Sequence, residues 1–190
     1  MRKIFWVLAV TAAVLTFVVL LSPYSKHDGN AYRSVRQTIT INAAPEVVFS
    51  YLGNSANAAW WSVYVDHIVT LNCSQVKDGM PGSIRRCFKQ ANEKGIVWDE
   101  LITVVEPARK RQLTIFNMVG FPVKAEGLAS QQLYERVSGN STRLTFTLFY
   151  LDEPGFLQTL KTYLAAYIVD DIFKKNLENI KSNIEKGPTS

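Results

Sequence analysis

Residues 4–21 (IFWVLAVTAAVLTFVVLL) form 18 consecutive uncharged, mostly apolar positions, preceded by Met-Arg-Lys and ended by Ser22-Pro23. At about 1.5 Å per helical residue such a run spans roughly 27 Å, close to the hydrocarbon thickness of a bilayer. The pattern predicts a transmembrane helix, with residues 1–23 as an N-terminal anchor. Arg2 and Lys3 would then lie in the cytoplasm and everything after Pro23 on the periplasmic or extracytoplasmic side. The competing reading is a cleaved signal peptide and a secreted domain. That would show a shorter apolar region and a small-x-small cleavage site. Ser22-Pro-Tyr-Ser-Lys-His fits that pattern poorly, and no lipobox cysteine is present. Residues 24–37 (YSKHDGNAYRSVRQ) are polar and aperiodic and read as a tether.

From residue 38 the pattern becomes that of one folded domain, 38–186. Thr38-Ile-Thr-Ile-Asn alternates as a strand does. Ala43-Ala-Pro-Glu-Val-Val-Phe-Ser-Tyr-Leu-Gly reads as a short helix with Pro45 in its first turn and Gly53 ending it. A second short helix is expected over residues 55–61. Six strands follow, over 66–74, 83–90, 96–106, 112–119, 127–137 and 142–151, separated by turn sequences such as Lys77-Asp-Gly-Met-Pro-Gly and Ser138-Gly-Asn-Ser. These turns are short enough to make neighbours antiparallel. From Gly155 the period changes. Phe156, Leu160, Tyr163, Leu164, Tyr167, Ile168, Phe173, Leu177, Ile180 and Ile184 mark one stripe of an amphipathic helix over residues 155–185. The predicted class is α+β: a curved antiparallel sheet of about seven strands around a long C-terminal helix. That helix is the one element large enough to cover the sheet's inner face.

Composition narrows the function. The 190 residues carry a net charge of +5, but without Arg2 and Lys3 the chain beyond residue 23 holds 19 basic against 16 acidic side chains. A surplus of three is no footprint for nucleic acid. Two cysteines exclude a disulfide-rich scaffold and a four-thiolate zinc site, and His27 and His67 have no ligand spacing, so no metal and no cofactor is expected.

The segment from Thr38 to Glu185 resembles the START/polyketide-cyclase superfamily (SRPBCC). The resemblance rests on Ile39-Thr-Ile-Asn-Ala-Ala-Pro-Glu-Val-Val-Phe, Trp60-Trp61, Gly82-Ser-Ile-Arg-Arg, Trp98-Asp-Glu-Leu-Ile-Thr-Val-Val-Glu-Pro, Leu113-Thr-Ile-Phe and Ser141-Thr-Arg-Leu, in that order. It implies a helix-grip fold with a deep, mainly hydrophobic cavity for lipids, sterols, polyketides, quinones or other apolar molecules. The fold hosts many functions and does not choose among them.

Hairpin geometry gives the expected cavity wall. A symmetric turn over residues 91–95 sets Arg85 against Glu100, Cys87 against Trp98 and Lys89 against Ile96. A turn centred on Met80 sets Cys73 against Cys87, within disulfide range in an oxidising compartment. Such a bridge would be worth roughly 3 kcal/mol. The alternative is two free thiols. Arg85, Cys87, Trp98, Glu100 and Ile102 share one face, and extending it across the next turn adds Leu113, Ile115 and Asn117. This face carries Trp98 and Ile102 and reads as the interior, whereas the opposite one carries Arg86, Asp99 and Thr103. The family's pattern agrees at the Glu100 position. An inward Arg85–Glu100 pair would orient a ligand head group. The alternative is an outer cross-strand pair worth under about 1 kcal/mol. Trp61 and Tyr64 at one mouth, and Tyr163 and Tyr167 on the long helix, complete the expected lining, with plain core packing as the alternative for each.

Catalytic motifs are sparse. There is no Gly-x-Ser-x-Gly elbow, phosphate loop, HExxH or Cys–His pair. His67 follows Asp66, but neighbouring strand residues point to opposite faces. Glu100 is the candidate general acid or base of a cyclase or dehydratase, if burial raises its pKa. Asn72-Cys-Ser and Asn140-Ser-Thr match the glycosylation pattern. The expected function is binding of an apolar small molecule (a lipid, an isoprenoid or quinone, or a polyketide-like compound) beside a membrane. A cyclase or dehydratase and a non-catalytic interaction module are the alternatives. The sequence points to no particular protein partner.

Overall fold

The computed structural model describes residues 2–123 and 125–186, and within the first helix the side chains of residues 2–5, 7, 8, 12, 14 and 15 lie outside the described set. Strands β2 (His67–Thr70), β3 (Ile84–Phe88), β4 (Val97–Glu106), β5 (Lys110–Val119), β6 (Leu128–Ser138) and β7 (Ser141–Tyr150) form an antiparallel meander. β1 (Ser34–Ile41) closes the far edge by pairing with β7, giving the order β1-β7-β6-β5-β4-β3-β2. The chain crosses from one edge to the other through α2 (Pro45–Gly53), a single 3-10 turn and α3 (Ala58–Trp61). The long helix α4 (Phe156–Lys186) lies along β1 and α3. The α+β class, the seven-stranded antiparallel sheet and the long C-terminal helix are as expected.

Two hydrophobic clusters fix α4 on the sheet. One joins Ile41, Val48, Leu52, Tyr134, Leu144, Phe146, Leu177 and Ile180, between α2, the sheet and the last turns of α4. The other joins Tyr24, Val35, Leu128, Tyr150 and Ala166 near the start of α4. Pro45 sets the first turn of α2, and Glu46 at that end pairs with Arg136 at 2.8 Å.

Four expectations need correction. Residues 24–37 are not a loose tether. β1 begins at Ser34, Ser25 bridges to Ser34, and Tyr24 is buried so fully that its phenol pKa is pushed up to about 12. The aperiodic polar pattern hides this because the burial falls on Tyr24, Ser34 and Val35 alone. β2 is shorter than expected. It stops at Thr70, and Asn72 folds the connection back by donating to the Gly82 carbonyl and accepting the Ile84 N–H, each at 2.9 Å. Cys87 therefore faces Ile68, not Cys73, and both cysteines are free, Cys73 exposed and Cys87 buried. Asn117 leaves the inner face. The β4–β5 register shifts between Val97 and Asp99, Asn117 adopts φ 49°, and its side chain donates to Asp99 on the outer side at 2.8 Å. Finally, Asp66 precedes β2, so strand alternation does not separate it from His67, and the two meet at 2.8 Å.

Residues Arg2–Leu21 are one continuous helix, α1. Among the described residues no helix is long and apolar enough to cross a membrane. The anchoring expectation for residues 4–21 falls partly on side chains outside the described set. The far end of α1 touches α4, where the Tyr167 hydroxyl donates to the Val18 carbonyl at 2.8 Å and the Ser22 hydroxyl to that of Tyr163 at 3.0 Å.

Candidate functional site

Between the two clusters α4 is too narrow to fill the concave sheet, and a cavity of about 460 Å³ remains. That volume suits a small-molecule ligand. Its wall is mostly apolar. Ile115, Leu128 and Leu148 contribute from the sheet, Leu164, Ile168 and Ile172 from α4, and Phe121 from the β5–β6 connection.

One end is polar and built from two clusters. In the first, the 3-10 turn after α2 places Ser55 so that its N–H and hydroxyl both donate to Asp78, at 2.9 and 2.8 Å. Arg85 donates to Ser55 Oγ at 3.4 Å and to Glu100 Oε2 at 2.8 Å, and Trp98 Nε1 donates to Glu100 Oε1 at 3.0 Å. Cross-strand opposition sets this up, because Arg85 faces Glu100 directly. Arg85 is only 5% exposed. Burial disfavours its charge, but Glu100, with Cys87 and Asp78, more than offsets that and holds its pKa above the ordinary arginine value. The buried Cys87 thiol is pushed well above its usual pKa, mainly by desolvation.

In the second cluster Arg111, 2% exposed, donates to Gln132 Oε1 and Tyr134 OH, both at 3.2 Å, and to the Phe49 carbonyl at 3.4 Å. Its guanidinium lies 4.2 Å from the Phe49 ring centroid. Gly53 leaves room for this side chain: a Cβ there would come within 2.8 Å of Arg111 Nη2. Gly79, at φ +80°, packs so closely under α2 that a Cβ would meet the Gly53 carbonyl at 2.6 Å, which fixes Asp78 beside Ser55. Burial lowers the Arg111 pKa and the Arg85 charge lowers it further; Arg111 is not itself part of the cavity wall and reaches it through Gln132.

Of the expected lining residues, Trp61, Tyr64, Arg85, Trp98, Glu100 and Ile115 reach the cavity, as do Cys87 and Leu113. Tyr64 tilts against Trp98 at 5.9 Å and Phe121 at 6.5 Å. Ile102 is fully buried on the same face without forming part of the wall. Asn117 is outside, as described above. Tyr163 and Tyr167 are also misplaced. Tyr163 packs edge-on against Tyr24 at 5.3 Å and Tyr167 binds α1. The apolar stripe of α4 serves two partners, the cavity and the N-terminal segment, and a single period cannot separate them. Arg111 falls just outside the strand expected over 112–119, and Gln132 lies on β6, which mixes polar and apolar residues on both faces. His67 stacks on Phe88 and lies 3.5 Å from Glu93 as well as against Asp66, but it is not part of the cavity wall. Among the described residues no group of three or more His, Cys, Asp or Glu could hold a metal ion.

Residues 32–185 match the family model described as polyketide cyclase / dehydrase and lipid transport. The chain belongs to this family. No curated protein matches it in sequence. Among solved structures, the Zhui aromatase/cyclase of Streptomyces sp. R1128 is similar at 13% identity and TM-score 0.58, over 81% of this chain and 94% of that one. A START superfamily protein from Mycobacterium smegmatis is similar at 14% identity and TM-score 0.56, over 80% and 97%. A protein from Thermus thermophilus aligns at 14% identity and TM-score 0.59, over 82% and 99%. At these identities the likeness is one of fold.

In this family member the buried Arg85–Glu100 pair makes a stability prediction. Glu100→Leu strands a buried guanidinium and should cost about 3 kcal/mol, whereas Arg85→Met with Glu100→Leu should recover most of that. Urea unfolding of both variants, followed by tryptophan fluorescence, measures the difference.

Proposed function

We propose that the chain binds an apolar small molecule, such as a lipid, an isoprenoid or quinone, or a polyketide-like compound, in the cavity between the sheet and α4. The observation that carries this reading is an apolar cavity of about 460 Å³ ending in polar groups held rigidly by the protein itself. An apolar body would be desolvated along the wall and its polar part oriented at the arginine end. The occupancy of Glu100 favours binding over acid–base catalysis. Its two oxygens each accept a hydrogen bond, from Arg85 and Trp98, so the carboxylate acts as a brace for donors. Filling the cavity tests the reading. Wild-type protein should take up a fluorescent fatty acid at one per chain. Ser130→Phe, which projects a ring from β6 into the cavity, should keep the thermal midpoint within a few degrees and weaken uptake at least about tenfold. No uptake by the wild type, or equal uptake by the variant, contradicts it.

The same protein is proposed to be a single-pass membrane protein, held by α1 with the domain on the extracytoplasmic side. The uncharged run over residues 4–21 and its two preceding basic residues support this. Exposed apolar side chains add to the support. Trp6, Val10, Phe17 and Leu20 on α1, and Phe156, Leu157, Leu164 and Ile168 on the first half of α4, are open to the surroundings, and the two helices touch at Tyr167. Docked this way, the cavity wall formed by Leu164 and Ile168 would lie at the bilayer surface. In vesicle flotation the full chain should rise with the lipid at high salt and at alkaline pH. The variant Val10→Asp with Phe17→Asp should stay at the bottom. Flotation of both, or of neither, contradicts the anchor.

A further inference from the structure

The polar end of the cavity has a one-sided supply of hydrogen-bonding atoms. Its side-chain acceptors are engaged. Glu100 Oε1 and Oε2 take Trp98 and Arg85, Gln132 Oε1 takes Arg111 and Tyr134, and Asn176 Oδ1 takes the Val63 N–H at 2.8 Å. Its donors are left over. Arg85 Nε and Trp61 Nε1 are buried with no partner among the described residues. The amide nitrogens of Gln132 and Asn176, both residues of the wall, likewise have none. The hydroxyls of Tyr64 and Ser130 can act either way. An unengaged amide oxygen, that of Gln158, lies at the opposite end beside Tyr150.

The orientation of Gln132 is forced by chemistry. A guanidinium only donates, so the amide must turn its oxygen toward Arg111. The Tyr134 hydroxyl, 2.5 Å away, donates to the same oxygen. The NH2 group is thereby turned away from that cluster, toward the cavity that Gln132 lines. Charge points the same way. Arg85 lines this end with Glu100 as the one carboxylate in direct contact with it among the described residues, and Arg111, behind Gln132, has no carboxylate among its hydrogen-bond partners. Arg85 Nε and Trp61 Nε1 are closed off from the cavity as well, so the donors a ligand can meet are the amide groups of Gln132 and Asn176, and a ligand that brings acceptors satisfies them. A ligand that brings donors meets more donors.

The geometry points to a ligand whose buried end carries carbonyl-type oxygen acceptors, as in a ketone, a quinone or a carboxylate, and no hydrogen-bond donor. This rests on the cavity-binding reading above and narrows it. The test uses the full chain in nanodiscs with a fluorescent fatty acid bound, displaced by a methyl ketone, a carboxylic acid, a primary amine and an alkane of equal chain length. The ketone and the acid should displace it at concentrations at least about tenfold lower than the amine or the alkane. The relative strengths of ketone and acid then tell a neutral carbonyl from a carboxylate. An amine or alkane that competes as well as the ketone overturns the donor-end inference and leaves cavity binding standing. Failure of all four, with the probe itself unbound, overturns both.

Gln132→Glu is the matched variant. It keeps an oxygen for Arg111 and Tyr134, supplies Arg111 with a counter-charge, and replaces the inward donor with an acceptor. Its thermal midpoint should not fall, while ketone and acid should bind about tenfold more weakly and the amine more tightly. Unchanged affinities in a folded Gln132→Glu protein overturn the inference.

Discussion

A single helix has to cover the concave face of a seven-stranded sheet, and it is too narrow to fill it. Everything else in the structure follows from that mismatch. Large side chains close the gap at the two ends, around Leu177 and Ile180 at one and around Tyr24 and Tyr150 at the other. Between them a cavity is left. An apolar cavity of this size lowers stability unless something occupies it, because its lining atoms lack partners. Such a cavity is consistent with small-molecule binding.

The polar end shows the opposite economy. Buried arginines are expensive to desolvate, and a pair such as Arg85–Glu100 is weak evidence for stability. Here each guanidinium is held from several sides: Arg85 by Glu100 and Ser55, and Arg111 by Gln132, Tyr134, the Phe49 carbonyl and the Phe49 ring. Such restraint fixes donor directions before any ligand arrives, which lowers the ordering cost of binding. Glu100, Ser55 and the glycines of α2 and the 77–82 loop are best understood as the supports of that arrangement.

Much of this was legible in the sequence where local rules act alone. Period-two alternation, short turns and a change to helical period produce the element order. A tight turn over residues 91–95 also placed Arg85 opposite Glu100 and Cys87 opposite Trp98. Legibility failed wherever one extra residue intervened. The irregularity between Val97 and Asp99 moved Asn117 to the other face, and the β2–β3 connection, organised by Asn72, moved Ile68 into the place expected for Cys73. A strand register has no memory beyond its last bulge. Arg111, Gln132 and Tyr134 were invisible for a different reason. Gln132 and Tyr134 lie on β6, whose own alternation does not say which face is inside, and Arg111 meets Gln132 only through the β5–β6 register.

The most direct test of the central claim, that the cavity holds an apolar small molecule, is native mass spectrometry of the full chain released from mild detergent, with solvent extraction of the same preparation. The account predicts a single adduct of small-molecule mass at near one-to-one stoichiometry, and an apolar compound in the extract. A bare chain that also fails to acquire an adduct after incubation with fatty acids, quinones and sterols would contradict it.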